Sequence, residues 1–323
     1  MNKRERFHAA VRGEAVDRPP VTAWVHFLSD HLPGEETARL HLRFLEAYDW
    51  DVLKVMNDYR YPVPAGVQTF EDPESIRAFR PLGLEEPAFA EQLKCLAALR
   101  SALGPDVPLV DTMFDPYQQM LRNVGFSEAA NLQRHAKDTM RALEAVADTL
   151  VRYIGAVKAQ GVDALFLSIN GAIRDGFPRG STPEVYDQFQ RRFDLELLRA
   201  AEGMVRILHV HGVGLEPDRV LDYPCEVISV SDRLRGNPSL SELRKLTDKC
   251  LMGGIDETKI QERTLPSLAA EVDDALAQAG PRKFILAPGC TIPSFSPRRS
   301  LRFLREYTAG GRRSPGTATR GTG

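Results

Sequence analysis

Two histidines separated by one residue, together with a distant cysteine, are the side chains in this sequence best suited to chemistry. His209 and His211 flank Val210 in the apolar run RILHVH (206–211). Side chains alternate between the two faces of a β-strand, so both imidazoles should point the same way and Val210 the other way. Cys290 follows a second apolar run, in the stretch APGCTIP. Two imidazole nitrogens and one thiolate suit zinc and leave a fourth coordination position open.

Less specific interpretations of the same residues also exist. The two histidines could be hydrogen-bonded side chains of a polar cavity, and Cys290 could be a buried free cysteine, which is common in proteins. The other three cysteines, Cys95, Cys225 and Cys250, lie in apolar stretches and are expected to serve in packing.

The order of apolar runs predicts a fold that can bring the histidines and the cysteine together. Short β-branched runs alternate with longer stretches of helical period, which is typical of βα units. Together with an opening helix around Lys3 to Val11, this order predicts an α/β fold, a (βα)8 TIM barrel with an N-terminal helical extension. A doubly wound open sheet is the alternative. The predicted strands are PVTAWV (20–25), DVLKVM (51–56), PLVDTM (108–113), ALFLSI (164–169), RILHVH (206–211), EVISVS (226–231), CLMGGI (250–255) and FILAPG (284–289).

Polar residues follow the end of every predicted strand, where the active site of a parallel barrel lies. They are His26, Asn57, Asp58, Asp115, Ser168, Asn170, His209, His211, Ser231, Asp232, Asp256 and Cys290. We expect a metal to be held by His209 on the fifth predicted strand, by His211 at its end, and by Cys290 after the eighth.

The remaining site predictions concern catalysis and substrate binding. Asp58 is the candidate catalytic carboxylate, although a capping aspartate with a solvated side chain is the alternative at that position. The predicted substrate-binding residues are His26, Asn57, Asn170 and Asp232. Three loop arginines at the same end of the barrel could meet an anionic substrate, namely Arg60, Arg174 and Arg179.

Composition restricts the partners of the protein. The 323 residues carry a formal net charge of −2, so no basic surplus favours nucleic acid. The longest apolar runs are far shorter than the roughly 20 residues that a membrane helix needs. Four cysteines without CxxC spacing argue against a disulfide framework, and we expect a cytoplasmic enzyme acting on a small molecule. One domain is predicted over residues 1–308, with a flexible tail at 309–323.

Several stretches resemble the uroporphyrinogen decarboxylase superfamily, whose members are βα barrels. The resemblance is carried by RERFHAAVRGEAVDRPPV, DWDVLKVMNDYRYPVPAG, LHVHG, LDYPCEVISVSDR, GGID and ILAPGCTIP, and it extends to about Tyr307. The superfamily includes the haem-pathway decarboxylase and zinc-dependent methyltransferases that act between corrinoids and thiols such as coenzyme M.

Differences from the decarboxylase favour the methyltransferase branch. The decarboxylase has an arginine-rich MRQAGR segment after its first strand, whereas this chain has VHFLSD (25–30) with no arginine. Asp58 matches the decarboxylase's functional aspartate, but APGC replaces the histidine expected near the last strand. In the methyltransferases, a His-x-Cys on the fifth strand and a cysteine after the eighth hold zinc. His209 and Cys290 match this pattern, while His211 replaces the first cysteine.

The resemblance therefore implies a zinc-dependent methyltransferase whose metal activates a thiol or an oxygen acceptor. It also implies that a corrinoid, free or on a corrinoid protein, could donate the methyl group. A His-His-Cys site would carry about one more positive charge than a His-Cys-Cys site, which puts coenzyme M itself in doubt. The alternatives are a cofactor-free decarboxylase that acts on a less anionic substrate through Asp58, a metal-assisted lyase or hydrolase, and a non-enzymatic corrinoid- or metal-binding protein.

Overall fold

The computed structural model describes residues 1–174 and 182–310, which form a curled parallel sheet surrounded by helices. All seven strands are parallel, and each pairs with the next along the chain. The strands are β1 (Leu53–Val55), β2 (Leu109–Phe114), β3 (Ala164–Ile169), β4 (Val205–Val210), β5 (Val227–Val230), β6 (Cys250–Ile255) and β7 (Phe284–Pro288). Seven of the eight predicted runs are thus strands, and β3 and β6 have the predicted bounds.

The eighth predicted strand, at 20–25, is not a regular strand, and the prediction of eight strands is not confirmed. Val21 forms one parallel bridge to Leu286 of β7, and its carbonyl accepts a hydrogen bond of 2.9 Å from the N–H of Asp51, just before β1. The segment therefore lies between the two edge strands of the sheet. A longer ladder is prevented because Pro20 has no N–H, and because the Val21 N–H donates to the Asp51 carboxylate at 2.9 Å.

Helices cover the outside of the sheet. They are α1 (Lys3–Arg12), α2 (Gly34–Tyr48), α3 (Pro73–Arg77), α4 (Pro87–Leu103), α5 (Pro116–Val124), α6 (Ala129–Arg134), α7 (Ala136–Ala159), α8 (Pro183–Tyr186), α9 (Arg192–Ala200), α10 (Leu240–Leu246), α11 (Leu265–Ala279) and α12 (Arg298–Thr308). A π-helical turn at Asp187–Arg191 joins α8 to α9. The predicted opening helix is α1, which ends at Gly13 with a left-handed φ of 79°.

Side-chain alternation along the strands separates two apolar cores. The outer core lies between the sheet and the helices. The inner core fills the concave side of the sheet and also receives Phe7 and Val11 from α1. Its other fully buried members are Trp24, Val52, Met56, Val110, Ala164, Phe166, Ile207, Val227, Cys250, Met252, Ile285 and Ala287. Polar side chains that share the inner face with this cluster are therefore directed towards the interior of the curled sheet.

Two predictions fall partly outside the described residues. The predicted tail begins at residue 309, and residues 311–323 lie outside the part of the chain that the structure describes; so does Arg179. Within the described ranges, no helix combines the length and apolar character needed to cross a membrane.

Candidate functional site

The structure brings the three predicted metal ligands together. His209 lies on β4, His211 follows that strand, and Cys290 follows β7. One ligand atom from each residue can be chosen so that all three atoms lie within 4.8 Å of one another. Val210, between the histidines, packs into the outer core as the alternation predicts.

His209 is held so that one ring nitrogen remains available. Its Nδ1 lies 3.2 Å from Oγ of Ser229, its register partner on β5, and its ring stacks on Phe166 with centroids 5.0 Å apart. Its Nε2 is buried and has no hydrogen-bond partner among the described residues. Burial, followed by the positive charges of His211 and Lys54, lowers the pKa of His209 well below its ordinary value. The ring is therefore neutral at neutral pH, with a lone pair for a metal.

The second histidine and the cysteine already have a spacing that suits a zinc ion. Cys290 Sγ lies 3.6 Å from His211 Nδ1. Tetrahedral coordination with Zn–N near 2.0 Å and Zn–S near 2.3 Å would place the two ligand atoms roughly 3.5 Å apart, close to this distance. Burial raises the pKa of the Cys290 thiol. Metal binding would therefore displace a proton from this sulfur.

A tight backbone contact positions the loop that carries Cys290. A Cβ at Gly289 would lie 2.3 Å from the Cα of Ser231 and 2.9 Å from a carboxylate oxygen of Glu257. The Glu257 carboxylate accepts a hydrogen bond of 2.6 Å from the Ser231 hydroxyl. Only a glycine at 289 lets the β7 loop approach the end of β5 this closely, which brings Cys290 towards the histidines.

The three residues line a cavity of about 280 Å³ at the carboxyl ends of the strands. Its walls are mixed, with aromatic rings, amides, hydroxyls and cations, and its described lining includes no aspartate or glutamate. The other lining residues are Trp24, His26, Lys54, Met56, Arg60, Thr112, Phe114, Gln118, Arg122, Phe126, Phe166, Ser168, Asn170 and Thr291.

Lys54 is a cavity residue that was not predicted from the sequence. It lies in the middle of β1 between the inward-facing Val52 and Met56, and it is only 3% exposed. Its Nζ donates to Thr112 Oγ1 at 2.9 Å and lies 3.9 Å from the ring centroid of Phe166. Burial lowers the pKa of Lys54 to about 7. A charged residue at the inward position of an apolar strand is the signal that could have revealed it.

Asp58 is linked to the cavity through His26. The cavity is lined by His26, whose Nδ1 lies 2.6 Å from Oδ1 of Asp58. The Ser29 N–H donates to the other carboxylate oxygen at 3.3 Å. Burial favours a higher pKa for Asp58, but its hydrogen bond to His26 and the charge of that ring leave the pKa below its usual value. The carboxylate is therefore ionised and can fix the orientation of the imidazole.

The other predicted substrate-binding residues differ in their positions. Asn170 lines the cavity, and its Oδ1 is buried without a partner among the described residues. Asn57 and Asp232 are absent from the described cavity lining. Asp232 instead accepts a hydrogen bond of 2.7 Å from the Gly254 N–H and so joins two strand ends.

The predicted arginines and packing cysteines also have distinct positions. Arg60 lines the cavity, whereas Arg174 is directed to solvent with its side chain 74% exposed. Cys95, Cys225 and Cys250 are buried and free, as the packing interpretation predicts.

Comparisons with known proteins agree with this architecture. Residues 53–309 match the family model described as Uroporphyrinogen decarboxylase (URO-D). A methyltransferase from Methanosarcina mazei has a similar structure, with a TM-score of 0.78, 20% identity, and 96% of this chain and 98% of that chain covered. A B12-independent methionine synthase from Shewanella sp. W3-18-1 has a TM-score of 0.57 at 16% identity, with 90% and 92% covered. No curated protein sequence matches significantly. At these identities the two structural likenesses concern the fold.

Proposed function

Because the chain belongs to the uroporphyrinogen decarboxylase family, we propose that it is a zinc-dependent methyltransferase whose metal activates a thiol or an oxygen acceptor. The observation that carries this proposal is the convergence of His209, His211 and Cys290 at one end of the cavity. The folds of the Methanosarcina methyltransferase and of the Shewanella methionine synthase support the same reaction class.

The side chains fit zinc in number, type and spacing. Two imidazoles and one thiolate form a set that zinc favours, and a fourth position would remain for the acceptor. The unpartnered, buried Nε2 of His209 is a polar atom that a metal would satisfy. When bound, zinc would act as a Lewis acid that lowers the pKa of the acceptor's thiol or hydroxyl group.

The remaining site residues would hold the acceptor and limit its access to water. Ser229 and Phe166 fix the His209 ring. His26 presents its second ring nitrogen from the cavity wall while Asp58 holds the first. We therefore assign Asp58 a positioning role that it exerts through His26, and Asn170 a role in binding the substrate.

The methyl donor would approach from the open end of the cavity. We propose a corrinoid as this donor, either free or on a corrinoid protein, in line with the methyltransferase branch of the family. All four cysteines are free, which accords with a reducing compartment, and we propose that the enzyme acts in the cytoplasm.

Metal analysis with matched cysteine variants tests the proposal. We expect about one zinc ion per chain in the wild-type protein and a large loss in Cys290→Ala. Cys225→Ala is the control, because it removes a buried thiol away from the cavity and should retain the metal. Equal zinc in Cys290→Ala and the wild type, or no zinc in any of the three, would contradict the proposal.

A cofactor-free decarboxylase is the alternative, and the link between Asp58 and the cavity-lining His26 is the observation that keeps it under consideration. Chelation separates the two functions. A decarboxylase would retain its activity in chelator-treated protein and lose it in Asp58→Asn. The proposed methyltransferase would lose methyl transfer on chelation and regain it when zinc is returned.

A further inference from the structure

Lys54 is a buried cation without a counter-ion in the described part of the chain. Its ammonium group contacts Thr112 Oγ1 at 2.9 Å and Met56 Sδ at 3.0 Å. It also lies over two aromatic rings, 3.9 Å from the Phe166 centroid and 4.5 Å from the Trp24 centroid. A buried charge is costly unless it is paired, and these contacts supply no negative charge.

The groups that act on the charge of Lys54 are engaged elsewhere or are neutral. They are, in order of effect, Cys290, Asp111 and Asp58. Burial raises the pKa of the Cys290 thiol, so this group carries no charge in the metal-free protein at neutral pH. The side chain of Asp111, however, accepts a hydrogen bond of 3.0 Å from the Tyr153 hydroxyl, and that of Asp58 is bound to His26 at 2.6 Å. No salt bridge within 4.0 Å joins either carboxylate to Lys54 among the described residues. The described lining of the cavity includes no aspartate or glutamate. Arg60 and Arg122 are two further cationic side chains in its wall.

We propose that Lys54 forms an anion-binding subsite at the inner end of the cavity, which holds the carboxylate of a small acid substrate. The amine can donate to a carboxylate oxygen while it keeps its bond to Thr112. One buried cation balances one negative charge, so a monocarboxylate suits the subsite better than a phosphate dianion. The rings of Phe166 and Trp24 exclude water on two sides, which strengthens the ion pair.

The position of the subsite sets the size of the substrate, and this step rests on the proposed function. Phe166 contacts both Lys54 and His209. Its centroid is 3.9 Å from the ammonium nitrogen and 5.0 Å from the His209 ring centroid, so Lys54 lies within about 9 Å of that ring. Because this separation is an upper limit, a molecule with its carboxylate on Lys54 and its thiol at the metal centre would have a spacer of only a few carbons at most.

Binding of two matched probes tests the subsite in the metal-free protein. 3-Mercaptopropionate and its neutral amide, 3-mercaptopropionamide, differ only in charge. Trp24 reports binding by its fluorescence, because its ring lies 4.5 Å from the amine, and calorimetry gives an independent affinity. We expect the acid to bind at least about tenfold more tightly than the amide, and we expect this preference to disappear in Lys54→Met and in Lys54→Gln.

A surface lysine provides the control. Lys259 pairs with Glu262 at 3.4 Å outside the cavity, so Lys259→Met should keep the preference for the acid. Equal affinities of acid and amide in the wild type, no binding of the acid at millimolar concentrations, or a preference that survives in both Lys54 variants would overturn the subsite.

Zinc-loaded protein separates this proposal from the proposed function. If the metal holds the thiol, 3-mercaptopropionate should bind more tightly than propionate only after zinc is added. A preference for acid over amide without any effect of zinc would support the subsite and contradict the metal's role. A zinc-dependent preference for the thiol without any effect of Lys54 would support the metal's role and overturn the subsite.

Discussion

Replacing Lys54 by methionine should stabilise the metal-free protein at neutral pH, and the gain should shrink as the pH rises. Lys54 is 3% exposed, and burial lowers its pKa from the ordinary 10.5 to about 7. Methionine has a similar length and removes the charge, so it fills the same space without the cost of desolvating an ammonium group. The hydroxyl of Thr112, which loses its donor, still bonds to the Val55 carbonyl at 2.6 Å.

The pH dependence follows from proton binding. As the pH rises from 7 towards 10, the Lys54 amine loses its proton in the folded chain and keeps it in the unfolded one. The unfolded state therefore binds the extra proton, and wild-type stability rises with pH by up to about 1.4 kcal/mol per unit. The methionine variant lacks this contribution. Between pH 7 and pH 9, its stability advantage over the wild type should fall by about 2 kcal/mol.

Urea unfolding monitored by circular dichroism measures this difference at pH 7, 8 and 9. Groups that titrate in both proteins cancel when the two free energies of unfolding are subtracted. Lys259→Met should match the wild type at each pH, because Lys259 lies at the surface beside Glu262. An advantage that stays constant with pH, or that grows as the pH rises, would refute a buried amine of lowered pKa.

Three further substitutions address the metal site and its surroundings. Gly289→Ala should reduce zinc affinity about tenfold or more, because the added methyl carbon would lie 2.3 Å from a backbone carbon just after β5; zinc titration measures this. Ser229→Ala should weaken zinc binding by roughly tenfold to a hundredfold, since it removes the partner of His209 Nδ1; competition with a chelator gives the value. Asp58→Asn should lower kcat by about tenfold or more through the orientation of His26, with zinc content unchanged.

Each of these has a result that would count against it. Gly155→Ala is the control for Gly289→Ala. Gly155 lies on α7, where an added Cβ would meet no atom within 4 Å, so this variant should bind zinc like the wild type. Unchanged zinc affinity in Gly289→Ala would show that the close approach at Gly289 does not position Cys290, and unchanged affinity in Ser229→Ala would show that Ser229 does not position His209. Loss of zinc in Asp58→Asn would show that Asp58 supports the metal site, and not only the orientation of His26.

The strands and the ligand set could be predicted because both depend on local periodicity. Alternation on β4 places His209 and His211 on the inner face and Val210 outside, and the structure agrees. The same reasoning overlooked Lys54, although Val52 and Met56 on either side of it face inwards. The apolar residues of this run predict a strand, and strand alternation alone places its one cation on the inner face.

Side chains beyond the strand ends could not be placed from the sequence. Asp232 follows β5 but turns back to the Gly254 N–H, because the direction of a loop side chain depends on the turn and not on strand alternation. The residue predicted at the end of β6 is Asp256, whereas its neighbour Glu257 is the one that accepts a hydrogen bond from Ser231 beside the Cys290 loop. The segment 20–25 has the composition of a strand but does not form one. Pro20 lacks an N–H, and the Val21 N–H is bound by the Asp51 carboxylate, so the hydrogen bonds of a longer ladder are lost.

X-ray absorption at the zinc edge of the reconstituted protein tests most directly whether His209, His211 and Cys290 share one metal ion. We predict one sulfur scatterer near 2.3 Å and two imidazole nitrogens near 2.0 Å, with a lighter ligand in the fourth position. The sulfur contribution should vanish in Cys290→Ala. A wild-type spectrum without sulfur, or one with two or more sulfur ligands, would contradict a metal centre made of these three side chains.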